Sequence, residues 1–148
     1  MRAIASDFQR AGIPAELNDD LHIVRWQKLV WNIPYNGLSV VLNANTAELM
    51  KNPHTRQLVE RIMREVVADA RACGVSLRDG IVAKMLSYTD TMIPYRTSMK
   101  IDYDDHTPME VEAIFGNPLR AADKAGARSP LLQQLYWLLK FLDARNVQ

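Results

Sequence analysis

A chain of 148 residues fits one domain, and 48% hydrophobic with 24% charged residues are ordinary values for a globular protein. A formal net charge of +1 argues against a general nucleic-acid binder, which carries a strong basic excess. The one cysteine, Cys73, excludes an internal disulfide and any metal cluster built from several thiolates.

Neither targeting nor membrane segments are recognisable in the sequence. The first residues mix charged with apolar side chains, and no uncharged apolar run reaches the ~18 residues that a membrane span requires. We therefore predict a cytoplasmic protein with no membrane partner and no nucleic-acid partner.

Apolar residues recur at three- and four-residue steps, and no segment alternates with the two-residue period of a strand. The pattern predicts an all-α, multi-helix bundle. The long second helix is expected to begin after an N-cap at Asn18, Asp19 or Asp20 and to contain Pro34. The predicted helices are 6–12, 21–42, 46–52, 53–72, 77–89, 109–125 and one from 130 onward. Residues 90–108 are predicted to form a long irregular loop.

Three polar residues stand out on the otherwise apolar long helix. Lys28, Asn32 and Asn36 are spaced by four residues, about 400° of helical rotation, and therefore share one slowly drifting face, called here the polar stripe. Carboxamides both donate and accept hydrogen bonds, which suits recognition of a carboxylate or an α-oxygen substituent, and an amine suits proton transfer. The alternative interpretation is a thin solvated strip whose asparagines bond the backbone near Pro34.

A second polar group lies in the predicted loop and the start of the following helix. Its members are Ser98, Asp102, Asp104, Asp105, His106, Glu110 and Glu112. Without regular calcium-loop spacing and with one histidine, the pattern favours a solvated acidic loop over a metal site, and we predict no bound metal. For Glu110 two interpretations stay open: a first-turn carboxylate favoured by the helix dipole, or a partner of Lys28.

Four segments together resemble one enzyme family. Residues 26–38, W-Q-K-L-V-W-N-I-P-Y-N-G-L, resemble the W-x-K-x-x-x-N-x-x-x-N segment of ketopantoate reductases (2-dehydropantoate 2-reductases). Residues 98–102, S-M-K-I-D, resemble that family's S-M-x-x-D element, and residues 110–116, E-V-E-A-I-F-G, its T-E-I-D-x-I-N-G helix start. G-A-R-S-P at 126–130 and L-Y at 135–136 resemble the closing H-G-I-x-T-P and L-Y region. Order and spacing agree over about residues 11–139.

The resemblance covers only half of that enzyme. It implies that residues 1–148 are a single helical C-terminal domain, like the substrate and dimerisation domain of reductases related to 6-phosphogluconate dehydrogenase. The family's N-terminal Rossmann NADP-binding domain is expected to be absent from this chain, since nothing reads as strand, G-x-G-x-x-G and helix.

The resemblance also implies a role for each residue of the pattern. Lys28 would be the general acid, and Asn32, Asn36 and Ser98 would bind the substrate. Glu110 would help to hold the cofactor or a substrate hydroxyl. The implied reaction is the NADPH-dependent reduction of 2-dehydropantoate to pantoate in pantothenate biosynthesis, with NADPH bound mainly by the missing domain. The implied partners are a small 2-keto acid, the Rossmann domain and a second copy in a homodimer.

Three departures from the family pattern leave two alternatives open. Thr46 stands where many members carry a substrate-contacting Asn, Tyr95 stands where another Asn is common, and H-T-P-M at 106–109 replaces the frequent G-R-x-T. The first alternative is a reductase of another small 2-keto acid. The second is a non-catalytic association module, suggested by the apolar side chains spread around the final helix.

Overall fold

The computed structural model describes residues 2–13 and 20–146, and within these ranges the chain is helical with no strand. The all-α prediction is confirmed. The α-helices are α1 (Arg2–Arg10), α2 (Leu21–Val41), α3 (Thr46–Lys51), α4 (Pro53–Ala72), α5 (Ile81–Asp90), α6 (Ser98–Asp104), α7 (Asn117–Lys124) and α8 (Pro130–Asn146). A π-helical segment, Glu112–Gly116, leads directly into α7. None of the described helices is both long and apolar enough to cross a bilayer.

Local sequence signals explain where the early helices begin and end. The Asp20 side chain accepts hydrogen bonds from the backbone N–H groups of His22 and Ile23 and caps α2, while Asn18 and Asp19 lie outside the described residues. Asn45 caps α3, with Glu48 returning the bond in a capping box. Asn52 then caps α4, which starts on a proline, a favoured first residue.

Helix α1 spans residues 2–10 where 6–12 was predicted, and the helix predicted over 109–125 is the π-helix followed by α7. Two further predictions are wrong for physical reasons. Helix α5 begins four residues later than its apolar pattern predicted, because Gly80 adopts a left-handed conformation with φ of 75° immediately before it. Residues 90–108 are not wholly irregular, because Thr97 caps the short helix α6 through its side chain. Lys100 within α6 is buried, and its ammonium group pairs with Asp104, which also binds Arg96.

Helix α2 forms the centre of the bundle. It packs against α3, α4, α5, α6, α8 and the π-helix, and every residue from 33 to 40 is buried. A side chain at Gly37 would overlap the buried Leu135 of α8, so the two helices approach closely at this position. The residue types at this crossing therefore fix how α8 lies across the half of α2 that follows Pro34.

Two acidic residues of α4 hold the start of α8. The Glu65 carboxylate accepts hydrogen bonds from the backbone N–H groups of Leu131 and Leu132, at 3.0 and 3.1 Å, and so caps α8 from another helix. One turn later, the buried Asp69 accepts a hydrogen bond from Ser129 through Oδ1, whereas its Oδ2 is sealed from solvent without a partner. Burial raises the pKa of the Asp69 carboxyl above its usual value.

The thiol of Cys73 lies one turn beyond Asp69. Burial, with a smaller contribution from the Asp69 charge, raises its pKa. A thiol with a raised pKa carries little thiolate and is a poor nucleophile, which agrees with an inert structural role for this cysteine.

Asp69→Asn tests the cost of the buried carboxylate. The raised folded-state pKa means that the folded protein binds this proton more tightly than the unfolded chain does, so wild-type stability should fall as pH rises through the window above the usual carboxyl pKa. The free energy of unfolding of Asp69→Asn, measured by urea denaturation, should therefore increase relative to that of wild type as the pH is raised from about 4 to about 7. The matched control is Asp123→Asn on an exposed residue of α7. A difference between Asp69→Asn and wild type that stays constant with pH would contradict the assignment.

Candidate active site

The polar stripe runs from solvent into the bundle. The side chain of Lys28 is exposed, that of Asn32 is half-buried, and Asn36 is 2% exposed. With 1.5 Å of rise per residue, the three Cα atoms span about 12 Å along α2. The stripe therefore offers an amine at the surface and a carboxamide at depth.

The buried end of the stripe has an unused hydrogen-bonding group. Within the described residues, the Asn36 amide makes no hydrogen bond, and neither do the side chains of Lys28 and Asn32. The Asn36 amide is not among the polar atoms sealed from solvent, so it opens at the surface. Buried polar groups in folded proteins are nearly always paired, and a free carboxamide of this kind is typical of a ligand-binding position. The alternative of asparagines bonded to the backbone near Pro34 is not what the structure shows.

A buried hydroxyl link, which the sequence does not reveal, connects α2 to the residue before Ser98. The Ser39 hydroxyl on α2 donates to the backbone carbonyl of Asn36 at 3.0 Å, and a second hydrogen bond of 2.7 Å joins it to the Thr97 hydroxyl. Thr97 caps α6 and directly precedes Ser98, whose side chain is exposed. This buried link ties the start of α6 to the turn of α2 that carries Asn36. It joins residues 58 positions apart, which is why sequence spacing alone missed it.

Glu110 lies between two anchored neighbours at the start of the π-helix. The backbone N–H of Met109 donates to the Asp143 carboxylate at 2.9 Å, and both Met109 and Val111 are buried. The Glu110 side chain is exposed and makes no hydrogen bond or ion pair within the described residues, so no ion pair joins it to Lys28. The main chain on both sides of Glu110 is therefore anchored, and its carboxylate is left available.

The carboxylate of Glu112, two residues further on, has three side-chain partners. It accepts a hydrogen bond from the Tyr136 hydroxyl at 2.7 Å and pairs with Arg120 at 2.9 Å and Lys140 at 3.1 Å. These three donors, Tyr136 first, lower its pKa to about 2. Of the two glutamates in E-V-E, Glu112 therefore fastens the π-helix to α7 and α8, and Glu110 is the one left for a ligand. Single π-helical turns are frequent at functional sites because they redirect the chain beside them.

The acidic loop makes internal contacts instead of forming a ligand cluster. Asp104 accepts from Arg96 and Lys100, and His106 Nδ1 lies 3.2 Å from the Asn146 side-chain oxygen. Among residues 2–13 and 20–146, no group of three histidine, cysteine, aspartate or glutamate side chains is placed to hold a metal ion.

The departures at Thr46 and Tyr95 are one structural feature. The Thr46 N–H donates to the Tyr95 carbonyl, and the Tyr95 N–H donates to the Thr46 hydroxyl, both at 3.1 Å. Thr46 is 1% exposed, whereas Tyr95 is 42% exposed. Thr46 is therefore buried with its hydroxyl bound to the Tyr95 backbone, and Tyr95 carries the exposed side chain of the pair.

Proteins of similar sequence align with nearly the whole of this chain, but the alignments include only about half of each relative. A 2-dehydropantoate 2-reductase of Nostoc sp. is 58% identical over 99% of this chain, which corresponds to 46% of the relative. One from Aquifex aeolicus is 30% identical over 100% of this chain and 49% of the relative. The chain thus spans about half the length of these curated relatives.

Solved structures of similar fold show the same coverage. The crystal structure of 2-dehydropantoate 2-reductase from Methylococcus capsulatus superposes with a TM-score of 0.93 at 36% identity, over 99% of this chain and 47% of that one. A ketopantoate reductase from Staphylococcus aureus, described as dimeric, superposes with a TM-score of 0.86 at 25% identity, over 98% of this chain and 51% of that one. The model of the family described as "Ketopantoate reductase PanE/ApbA C terminal" matches residues 20–143, and this chain belongs to that family.

Proposed function

We propose that this chain is the substrate-binding and acid-catalytic domain of a two-domain reductase that converts a 2-keto acid to a 2-hydroxy acid, with 2-dehydropantoate as its substrate. The observation that carries the proposal is the polar stripe, whose deepest member, Asn36, presents an unpaired amide beside the segment that begins α6. The relatives named above support the choice of substrate.

The stripe supplies two different chemical functions. Reduction of a ketone develops negative charge on its oxygen, and an ammonium group within hydrogen-bond reach both stabilises that charge and donates the proton that neutralises it. Lys28 is the ammonium group of the stripe and lies at its exposed end, where a second domain can close over it. We assign the proton transfer to its Nζ.

Orientation of the substrate falls to the carboxamides and the serine. Asn32 and Asn36 each offer two N–H donors and one carbonyl acceptor, enough to bind a carboxylate and a neighbouring oxygen at once. Ser98 adds a hydroxyl from the other side, held by the Ser39–Thr97 link. Substrate held by three such groups would present its keto oxygen to Lys28 in one orientation, which lowers the entropic part of the barrier.

The cofactor of the proposed enzyme is NADPH, which supplies the hydride. The described residues fit only one end of such a molecule, because they contain no strand and no glycine-rich turn into a helix that would bind its pyrophosphate. Glu110, exposed and unpaired, is the residue of this chain that we assign to cofactor contact. An N-terminal Rossmann domain would bind the remainder, and residues 1–148 are the single helical domain that completes the site. A cytoplasmic location belongs to the same proposal, since reduced nicotinamide cofactors are intracellular reagents.

A second role, association of two copies, is favoured by the outer face of α8. Trp137, Leu138 and Phe141 are 59%, 50% and 60% exposed, a concentration of large apolar side chains that is unusual on a free surface. This face is compatible with a homodimer that forms alongside catalysis. Sedimentation at several protein concentrations tests it, and a species that stays monomeric throughout would contradict it.

Lys28→Ala in the two-domain protein tests the assigned proton donor. Because general acid catalysis contributes typically about 10²- to 10⁴-fold, kcat for 2-dehydropantoate should fall by at least about 10²-fold. The matched control is Lys51→Ala, an exposed lysine at the end of α3, which should leave kcat unchanged. A fall of less than about tenfold for Lys28→Ala would remove Lys28 from this role.

The purified 148-residue chain tests whether turnover requires a separate nucleotide-binding domain. With NADPH and 2-dehydropantoate it should give no turnover, because residues 2–13 and 20–146 contain no strand or glycine-rich turn to bind a dinucleotide, and the two-domain protein under the same conditions should be active. Oxidation of NADPH followed by absorbance is the measurement. Measurable turnover by the chain alone would show that the hydride donor binds within these helices.

A further inference from the structure

Beside the polar stripe on α2 lies a second line of residues, Trp31, Tyr35 and Ser39. Each is three residues after a member of the stripe, and residues three apart are neighbours on a helix surface. The segment from Tyr95 to Ser98 packs along this second line. The Tyr95 ring lies 6.4 Å from the Trp31 ring, and the Thr97 hydroxyl lies 2.7 Å from that of Ser39.

The two ends of that segment differ in chemistry. Ser98 ends it with an exposed hydroxyl directly after Thr97, and Tyr95 begins it with an aromatic ring beside that of Trp31. We call Trp31 and Tyr95 together the aromatic edge. It borders the polar stripe on the side from which the segment approaches.

The aromatic edge is held in place and partly exposed. The Trp31 indole N–H donates to the Thr89 hydroxyl at 3.0 Å, and the Trp31 ring also packs on the fully buried Tyr35 at 4.8 Å. The two backbone bonds to the buried Thr46 fix the main chain of Tyr95. A fixed ring that is 42% exposed is positioned to contact a molecule bound on the stripe.

We propose that Tyr95, supported by Trp31, determines specificity by packing against the apolar substituents on C3 of the substrate. The inference rests on the proposed function. If the stripe binds the carboxylate and keto oxygen, C3 lies one bond from the keto carbon and so beside the stripe. In 2-dehydropantoate C3 carries two methyl groups, which have no polar atom to offer the asparagines and gain from contact with an aromatic face.

Comparison of two substrates in the two-domain protein distinguishes a contact with the methyl groups on C3 from a general effect of Tyr95 on activity. The substrates are 2-dehydropantoate and 4-hydroxy-2-oxobutanoate, which lacks the two methyl groups and is otherwise the same. A hydrophobic contact with one methylene-sized group is worth roughly 10- to 200-fold in kcat/KM. Tyr95→Ala should therefore lower kcat/KM for 2-dehydropantoate by at least about tenfold and that for 4-hydroxy-2-oxobutanoate by less than about threefold.

Two control variants complete the experiment. Tyr95→Phe keeps the ring and should retain the wild-type ratio between the substrates. Tyr88→Ala removes another exposed tyrosine, 59% exposed on α5, and should change neither value.

The possible outcomes distinguish failure of the role assigned to Tyr95 from failure of the proposed reductase function. Equal losses on both substrates for Tyr95→Ala, or no loss on either, would overturn the role of Tyr95 while leaving the reductase assignment intact. A wild-type enzyme that reduces neither 2-keto acid would instead overturn the proposed function, and this inference with it.

Discussion

The burial of α2 is the constraint on which the rest of the structure depends. Every residue from 33 to 40 is buried, yet Asn36 lies within that stretch and its amide opens at the surface. A buried carboxamide is costly unless something binds it, and the described residues do not. The bundle therefore holds an unsatisfied polar group at a fixed place, which is a preorganised position for a polar ligand.

The surrounding helices keep that position rigid. Gly37 lets α8 approach closely against Leu135, while Glu65 and Asp69 fasten the start of α8 to α4. On the other side, Asp90 and Arg56 form a two-bond ion pair, at 2.5 and 2.8 Å, that joins α5 to α4. The Arg56 guanidinium lowers the pKa of the Asp90 carboxyl, so the pair stays charged well into the acid range. The side chains of the site residues take part in none of these contacts, so they remain available to bind a substrate.

Much of the fold follows from local sequence signals. Asp20, Asn45 and Asn52 mark helix starts, and glycines with positive φ, such as Gly74, mark helix ends, so α2, α3, α4 and the start of α8 could be placed from the sequence to within a residue. The failures occurred where local signals competed. The apolar pattern from residue 77 suggested a longer α5, but the left-handed Gly80 interrupts it. Helix α6 is short and polar, so periodicity did not reveal it although Thr97 was in place as its cap.

The site was predictable only in part. The four-residue spacing of Lys28, Asn32 and Asn36 places them on one face, and that follows from helix geometry alone. The hydroxyl link between Ser39 and Thr97, and the pairing of Thr46 with Tyr95, join residues about 50 to 60 positions apart and become visible only after folding. The two departures from the family's asparagines, Thr46 and Tyr95, are therefore one structural feature, in which a buried threonine holds the backbone of an exposed tyrosine.

A crystal structure of the two-domain protein with 2-dehydropantoate and oxidised cofactor would show whether the polar stripe binds the substrate. We expect the substrate to lie along α2, with its keto oxygen within hydrogen-bond distance of Lys28 Nζ and its carboxylate on the amides of Asn32 and Asn36. Substrate bound elsewhere, with the Asn36 amide still unpaired, would contradict it.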